Sequence, residues 1–563
     1  MQIKFGTDGW RGIIAKDYTY EALKLAALAT GAYFKTHRNI ERGICIGYDT
    51  RFMSKSFAQF VADVSSSLGI KVFLSNAFLP TPAVSYYVKK HQLAGGIVIT
   101  ASHNPPTYNG FKVKADYGGS AHPEQIAEIE ALLPKQDKNY IVQKRDALIE
   151  PTDIKQAYID YLASELDLTA IRQAGFRVAH NAMFGAGQGI VSTLLGEQVV
   201  DYHCEENPTF DGINPEPIPN YLADFTPFFN AKKLDVAILT DGDADRIGMM
   251  NERGEYVDSH KIFCVVLKYL VEEKGLRGEV ARTYALTEVI NKICAKHNLT
   301  LHNLPIGFKH VGKLMTTRDI LIGGEESGGI GITAHLPERD GIYIGMLVLE
   351  IMAKRKKTLA ELVEELYAEY GYFTYDRIDA RLTDVEKQNA IQLAQSGTFN
   401  AIEGMRVTRF ENLDGYKYFF EGGWLLIRPS GTEPVLRLYA EADSDAKVQA
   451  ALRFAQGLAK ADPTLFAERK TVAEKSPVAK KLASKKSAIV KSVAPKADAK
   501  KNIGEKAATK KTAVKKLTVK KSSAKKSSTG TTKTSTSKPV VKAVKTKGVK
   551  AKASRAKGGG RKR

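Results

Sequence analysis

The sequence predicts an α/β protein: three consecutive α/β domains on mixed or parallel sheets, a smaller C-terminal α+β domain, and a disordered tail. Three observations carry that prediction. Short apolar runs alternate with segments of helical periodicity, the pattern of βαβ units around a largely parallel sheet. The alternation starts over twice, which makes three similar units. The charge is also divided unevenly. Residues 470–563 hold 31 Lys and Arg against three acids, a net +28, so the 469 residues before them in this +21 chain sum to −7. A mildly acidic body carries a strongly basic extension, and the two need separate arguments.

The first unit spans 1–150. Glu21–Phe34 has helical periodicity, Gly43–Tyr48 reads as a short buried strand, Phe57–Leu68 as a helix, and Lys71–Leu74 and Gly96–Thr100 as strands. The second, 151–257, runs from a strand near Phe176 to another at Val236–Leu239. The third, 258–368, offers strands at Val280–Thr283 and Ile320–Gly323 and a helix at Ile342–Ala353. The fourth, 369–465, places strands near Tyr372–Ile378, Trp424–Ile427 and Leu436–Ala440 before the helix Asp445–Leu458, an order suited to a small α+β unit. The tail, 466–563, contains no aromatic residue past Phe466, and lysine occupies every fifth position from Lys481 through Lys526. Five residues advance a helix by about 500°, so these lysines would wind round every face rather than form one stripe. Low hydrophobicity and high charge leave such a segment disordered.

Composition excludes several classes. Hydrophobic residues make up 43% of the chain, enough for most of it to bury a core. Cys45, Cys204, Cys264 and Cys294 are far apart with no CxxC pair, which argues against a disulfide framework or a zinc site and suits a reducing compartment. The start, MQIKFGTDGWRG, has no apolar signal core, and the longest apolar stretches, such as Ile344–Ala353, are too short to span a bilayer. The expectation is a cytoplasmic protein without a transmembrane segment.

Chemistry concentrates in a few loops. TASHNP at 100–105 directly follows an apolar strand, and open α/β sheets place their sites just past the carboxyl ends of strands. Asn104 and Pro105 favour a turn that would present Ser102 and His103 outward, and Lys112 follows closely enough to return an amine to the same mouth. DGDADR at 241–246 follows another strand. Read as extended chain, Asp241, Asp243 and Asp245 point the same way and offer three hard oxygens to Mg²⁺. A solvated turn is the plainer alternative, whereas an EF-hand fails on its glutamate spacing. RPSGTE at 428–433 combines arginine, two hydroxyls and a glycine-opened backbone, a compact phosphate cradle. GGEESGG at 323–329 places two carboxylates and a hydroxyl among glycines, a loop suited to sugar hydroxyls.

With FGTDGWRG at 5–12 and RPSGTEP at 428–434, these five motifs in this order resemble the α-D-phosphohexomutases, the family of phosphoglucomutases, phosphomannomutases and phosphoglucosamine mutases, over about residues 1–462. The resemblance implies four domains and an intramolecular phosphotransferase that interconverts hexose 1- and 6-phosphates, glucose first and mannose as the alternative. The intermediate it implies is a hexose 1,6-bisphosphate. Ser102 would be the phosphoserine. Asp241, Asp243 and Asp245, with an oxygen on Ser102, would hold Mg²⁺. His103, Lys112, Arg11 and Arg246 would surround the reacting phosphate, Lys112 as a candidate for proton transfer. Lys309, Glu325 and Ser327 would meet the sugar. Arg428, Ser430, Gly431, Thr432 and Arg437 would hold the other phosphate. The tail is outside the resemblance and looks like that of a linker histone. It suits nucleic acid or another polyanion, which leaves a nucleic-acid-associated protein with a secondary mutase body as a rival reading.

Overall fold

The computed structural model describes residues 3–6, 9–429 and 435–460. All of these belong to one unit, Met1–Lys481, and the lysine-rich segment lies outside them. Four sheets follow one another along the chain, three α/β and one antiparallel. The first is six-stranded in the order Trp10–Ile13, Tyr108–Ala115, Gly95–Ile99, Ile44–Tyr48, Val72–Ser75, Ile149–Thr152. Its last four strands run parallel, and Tyr108–Ala115 returns antiparallel to Gly95–Ile99. The second sheet sets Val236–Thr240 parallel to Val178–Asn181 and antiparallel to Ile247–Met250. The third sets Ile320–Gly324 parallel to Glu279–Thr283 and antiparallel to Ile330–Ile332.

The three units therefore share one device. In each, a fully buried parallel strand turns through a short loop into an antiparallel return strand, and the loop projects from the strand's carboxyl end. These loops are 100–107, 241–246 and 325–329, which contain the serine, acidic and glycine-rich motifs. The return strands went unrecognised in the sequence because Tyr108–Ala115 interleaves Lys112 and Lys114 with apolar residues. Both lysines are nonetheless buried.

The fourth sheet is six-stranded and wholly antiparallel, from Thr374–Arg381 through Val435–Ala442, Gly423–Pro429, Tyr416–Phe420 and Met405–Glu411 to Ala401–Ile402, with helices Asp384–Gln395 and Asp445–Leu458 packed against it. One apolar cluster runs continuously through the first three units, joining Val98, Ile238 and Ile322 among many others. The fourth unit has its own core around Leu425, Leu438 and Leu452. It meets the third through a small apolar patch of Tyr284, Ala285, Trp424, Leu426 and Tyr439.

Candidate active site

The loops face a cleft of about 480 Å³, of a size suited to a small ligand. Its lining draws Arg11, His103, Arg246, Lys309, Glu325, Ser327, Arg428 and Arg437 from all four units. Ser430, Gly431 and Thr432 lie outside the described residues.

Ser102 is fully buried beneath this cleft rather than turned outward, contrary to the turn argument. Its φ of 53° is left-handed, a conformation that costs a non-glycine residue about 1 kcal/mol or more. The surroundings enforce it. The buried Arg51 guanidinium donates to the carbonyls of Ser102 and Asn104 (both 2.6 Å), Pro105 (2.8 Å) and Tyr108 (3.1 Å), gathering the loop around one cation. Ser102 Oγ then donates to Asp241 Oδ2 at 2.7 Å. Gly242 permits that approach, because a Cβ there would lie 2.4 Å from the Ser102 carbonyl oxygen.

Asp241, Asp243 and Asp245 converge with carboxylate oxygens within 4.8 Å of one another, all fully buried. Strand alternation is not the reason, since Val236–Thr240 ends before them. The chain turns, with Ala244 at φ 54°, and the turn collects the three carboxylates on its inner side. Lys112 Nζ donates to Asp243 Oδ2 (2.7 Å) and Asp245 Oδ2 (2.9 Å). Thr81 Oγ1 also donates to Asp243. Burial, then repulsion from Asp243 and Asp245, pushes the Asp241 carboxyl well above the usual range. Three buried oxygen donors, mutually repelling and already drawing a lysine amine, are a donor set that fits Mg²⁺. A second convergent group among the described residues, His180, Asp201 and Cys204, lies elsewhere in the second unit.

The remaining expected residues surround these two loops. Arg11 Nη1 donates to Asn104 Oδ1 at 2.5 Å, pinning the serine loop from the first strand. His103 is held well below its ordinary pKa by burial and by Arg246 and Arg11, and so is neutral near pH 7. Arg246 lies 4.0 Å from Asp241 and 3.6 Å from Glu216. Across the cleft, Arg428 and Arg437 are cross-strand neighbours, and Asp414 pairs with Arg428 at 3.1 Å. Lys309 opens the helix Phe308–Thr317.

Several contributors escaped sequence reasoning. Arg339 donates to Glu325 (2.8 Å) and Asp245 (2.6 Å), tying the hydroxyl-binding candidate to the acidic loop. Arg377 lines the cleft beside Arg437. Glu216 is a buried acid on the same wall. Arg51, which gathers the serine loop, carried a usable signal, since it follows Asp49 just past the carboxyl end of the strand Ile44–Tyr48. Arg339 carried only a weak one, its place before the helix capped by Asp340.

Fold and site define a four-domain α/β enzyme whose cleft draws charged side chains from all four units. Models of the phosphoglucomutase/phosphomannomutase family match all four segments in order: domain I at residues 2–140, domain II at 156–254, domain III at 258–370 and the C-terminal domain at 378–454. The chain belongs to the α-D-phosphohexomutase family and is a hexose-phosphate mutase, an isomerase of carbohydrate metabolism. It is 29% identical over 448 residues to a phosphoglucomutase/phosphomannomutase of Thermococcus kodakarensis, covering 79% of this chain and 96% of that one. It is 29% identical over 460 residues to a phosphoglucosamine mutase of Levilactobacillus brevis, covering 79% and 96%. The crystal structure of a putative phosphomannomutase from Thermus thermophilus superposes with a TM-score of 0.73 at 33% identity, over 82% of this chain and 99% of that one. The family depends on Mg²⁺, and the three aspartates are the candidate site. No helix among the described residues is long and apolar enough to cross a membrane.

Proposed function

We propose that the protein interconverts glucose 1-phosphate and glucose 6-phosphate through a phosphorylated Ser102, with mannose phosphates as the alternative substrates. The observation that carries the reading is the Ser102 hydroxyl hydrogen-bonded to one of three clustered aspartates, across a cleft from Arg428 and Arg437. Phospho-Ser102 gives its phosphoryl group to a sugar hydroxyl: the P–O bond to Oγ breaks, a P–O bond to the sugar oxygen forms, and the hydroxyl proton ends on Ser102 Oγ, restoring the serine hydroxyl. Lys112 is the candidate to move that proton. The resulting 1,6-bisphosphate turns end for end, and its other phosphoryl group returns to Ser102. Asp241, Asp243 and Asp245 would hold Mg²⁺, which supplies charge neutralisation to a transition state spread over phosphoryl oxygens. Arg246 and Arg11 add positive charge on the same side, and a neutral His103 can donate a hydrogen bond without a second positive charge. Glu325 and Ser327 would grip hydroxyls present in both orientations. Arg428 and Arg437, with Ser430, Gly431 and Thr432, would hold the distal phosphate. Reducing conditions suit the four free cysteines and a cytoplasmic setting. The basic tail is a separate module for nucleic acid or another polyanion, favoured by its +28 charge.

A coupled assay with glucose 1-phosphate and mannose 1-phosphate, with and without glucose 1,6-bisphosphate, tests the reading. Intact-mass analysis should find one phosphate on the wild type and none on Ser102→Ala, whose turnover falls by several orders of magnitude. Turnover near wild type in that variant refutes the mechanism.

A further inference from the structure

An acid on a wall that must accept phosphate calls for an explanation, and Glu216 is that acid. Its Oε1 lies 3.6 Å from Arg246 Nη1 in the second unit and 3.9 Å from Arg377 Nη1 in the fourth. One carboxylate oxygen thus sits between cations of two domains. Both distances exceed hydrogen-bond range, so the contact is electrostatic and tolerates small domain movements. Arg377 reaches it with the remaining arm of its guanidinium, since Nε and Nη2 are committed to Asp379 at 3.0 and 2.7 Å.

The segment around Glu216 is built to stay put. Pro215, Pro217 and Pro219 restrict its backbone. The Pro215 carbonyl accepts from Gly242 N (3.1 Å), and the Pro217 carbonyl from Tyr256 Oη (2.7 Å). The Gly242 bond joins the segment directly to the turn carrying Asp241 and Asp243. Glu216 is therefore fixed relative to the acidic loop, and its pull on Arg377 acts on the fourth domain as a whole.

We propose that Glu216 is a positioning residue that keeps the fourth domain drawn to the second while the bisphosphate intermediate turns over. The proposal rests on the phosphoserine reading above. A substrate bound at both ends bridges the two cationic poles with its own phosphates. During reorientation it must leave both poles, and for that interval nothing from the ligand spans the gap. Glu216 is an anion belonging to the protein that spans it throughout. Without it, the direct electrostatic tie between Arg246 in the second domain and Arg377 in the fourth is lost, the fourth domain is held less firmly at this edge, and more of the intermediate escapes before the second transfer.

The test uses full-length Glu216→Gln, which keeps shape and removes charge. Enzyme carrying ³²P on Ser102 is mixed with glucose 1-phosphate, and label is partitioned between free glucose 1,6-bisphosphate and glucose 6-phosphate. The variant should release about ten-fold more bisphosphate, and need about ten-fold more added bisphosphate for half-maximal turnover, with the first transfer little changed. Arg377→Gln breaks the bridge from the other side and covers the case in which Glu216→Gln does not fold. It should also raise release, and the double variant should be no worse than the more affected single one. Unchanged partitioning in both single variants overturns the proposal, as does a first transfer that slows as much as release increases. Wild-type enzyme that takes no label on Ser102 overturns the phosphoserine reading and the proposal with it.

Discussion

Replacing Asp243 with Asn separates the stability of the acidic loop from its function. Asp243 accepts from Lys112 at 2.7 Å and has an aspartate on either side of it in the cluster, with oxygens no more than 4.8 Å apart. At an effective dielectric of 20, the lysine contact amounts to about 6 kcal/mol of attraction and each aspartate neighbour to at least about 3.5 kcal/mol of repulsion. Neutralising Asp243 removes all three, and the repulsion relieved at least matches the attraction lost, while an amide oxygen can still accept from Thr81. The metal-free variant should therefore unfold within about 1 kcal/mol of wild type, where removing one partner of a simple buried ion pair would cost about 3–5 kcal/mol. Mg²⁺ at about 100 times its dissociation constant should stabilise the wild type by about 2.7 kcal/mol. The variant should lose most of that increment together with its turnover. Urea unfolding of both proteins, in EDTA and over a Mg²⁺ series, checks both halves. A metal-free loss above about 3 kcal/mol, or full Mg²⁺ stabilisation of the variant, refutes the reasoning.

Arg428→Ala should raise the Michaelis constants for both the 1- and the 6-phosphate by about ten-fold, because the same cradle serves both orientations. Unchanged constants place the cradle elsewhere. Burial pushes Glu288 up, but Lys417 and Arg282 pull it down to about 2. A depressed carboxylate contributes stability above its ordinary value of 4.5 that is lost as pH falls toward about 2. Protease sensitivity of the fourth domain should rise more steeply across that window in wild type than in Glu288→Gln. That variant should be less stable near pH 7 by about 3–5 kcal/mol, as a buried lysine loses its counter-charge. A chain ended after Asp462 should keep mutase activity and lose duplex binding. The binding of the full chain should fall with log salt at a slope of about −0.9 per phosphate contact, checked by filter binding to two unrelated duplexes.

Much of the fold was legible because buried parallel strands are continuous apolar runs, and Ile44–Tyr48, Gly95–Ile99, Val236–Thr240 and Ile320–Gly324 all read that way. Their antiparallel returns were not. Tyr108–Ala115 buries two lysines whose partners, Asp243, Asp245 and Glu338, are more than 130 residues away, and no local pattern announces such a pairing. The same limit hid Arg339, Arg377 and Glu216, which act on loops distant in sequence. The compact motifs come together around one cleft, though not always for the geometric reason expected. The three aspartates meet across a turn with a left-handed Ala244, and Ser102 points down onto Asp241 where a turn-based argument turns it outward.

The distribution of apolar and charged contacts explains which part of the molecule can move. The first three domains share one apolar cluster, so separating any of them exposes core. The fourth is joined by the patch around Tyr284, Trp424 and Tyr439, by Phe373 at its start, and by a set of charged pairs, among them Lys417 with Glu288 and Arg377 with Glu216. An ionic contact that borders the cleft, as Arg377 with Glu216 does, can be exchanged for water or for a ligand's phosphates at modest cost, and apolar contacts cannot. The serine, acidic and glycine-rich loops thus stand on one continuous body, fixed relative to each other as phosphoryl transfer requires. The distal phosphate candidates Arg428 and Arg437 ride on the domain whose attachment is mainly electrostatic. In the proposed cycle that asymmetry has a use: the floor where bonds change stays rigid, while the wall can adjust to a turning ligand and is still kept close by contacts such as Arg377 with Glu216.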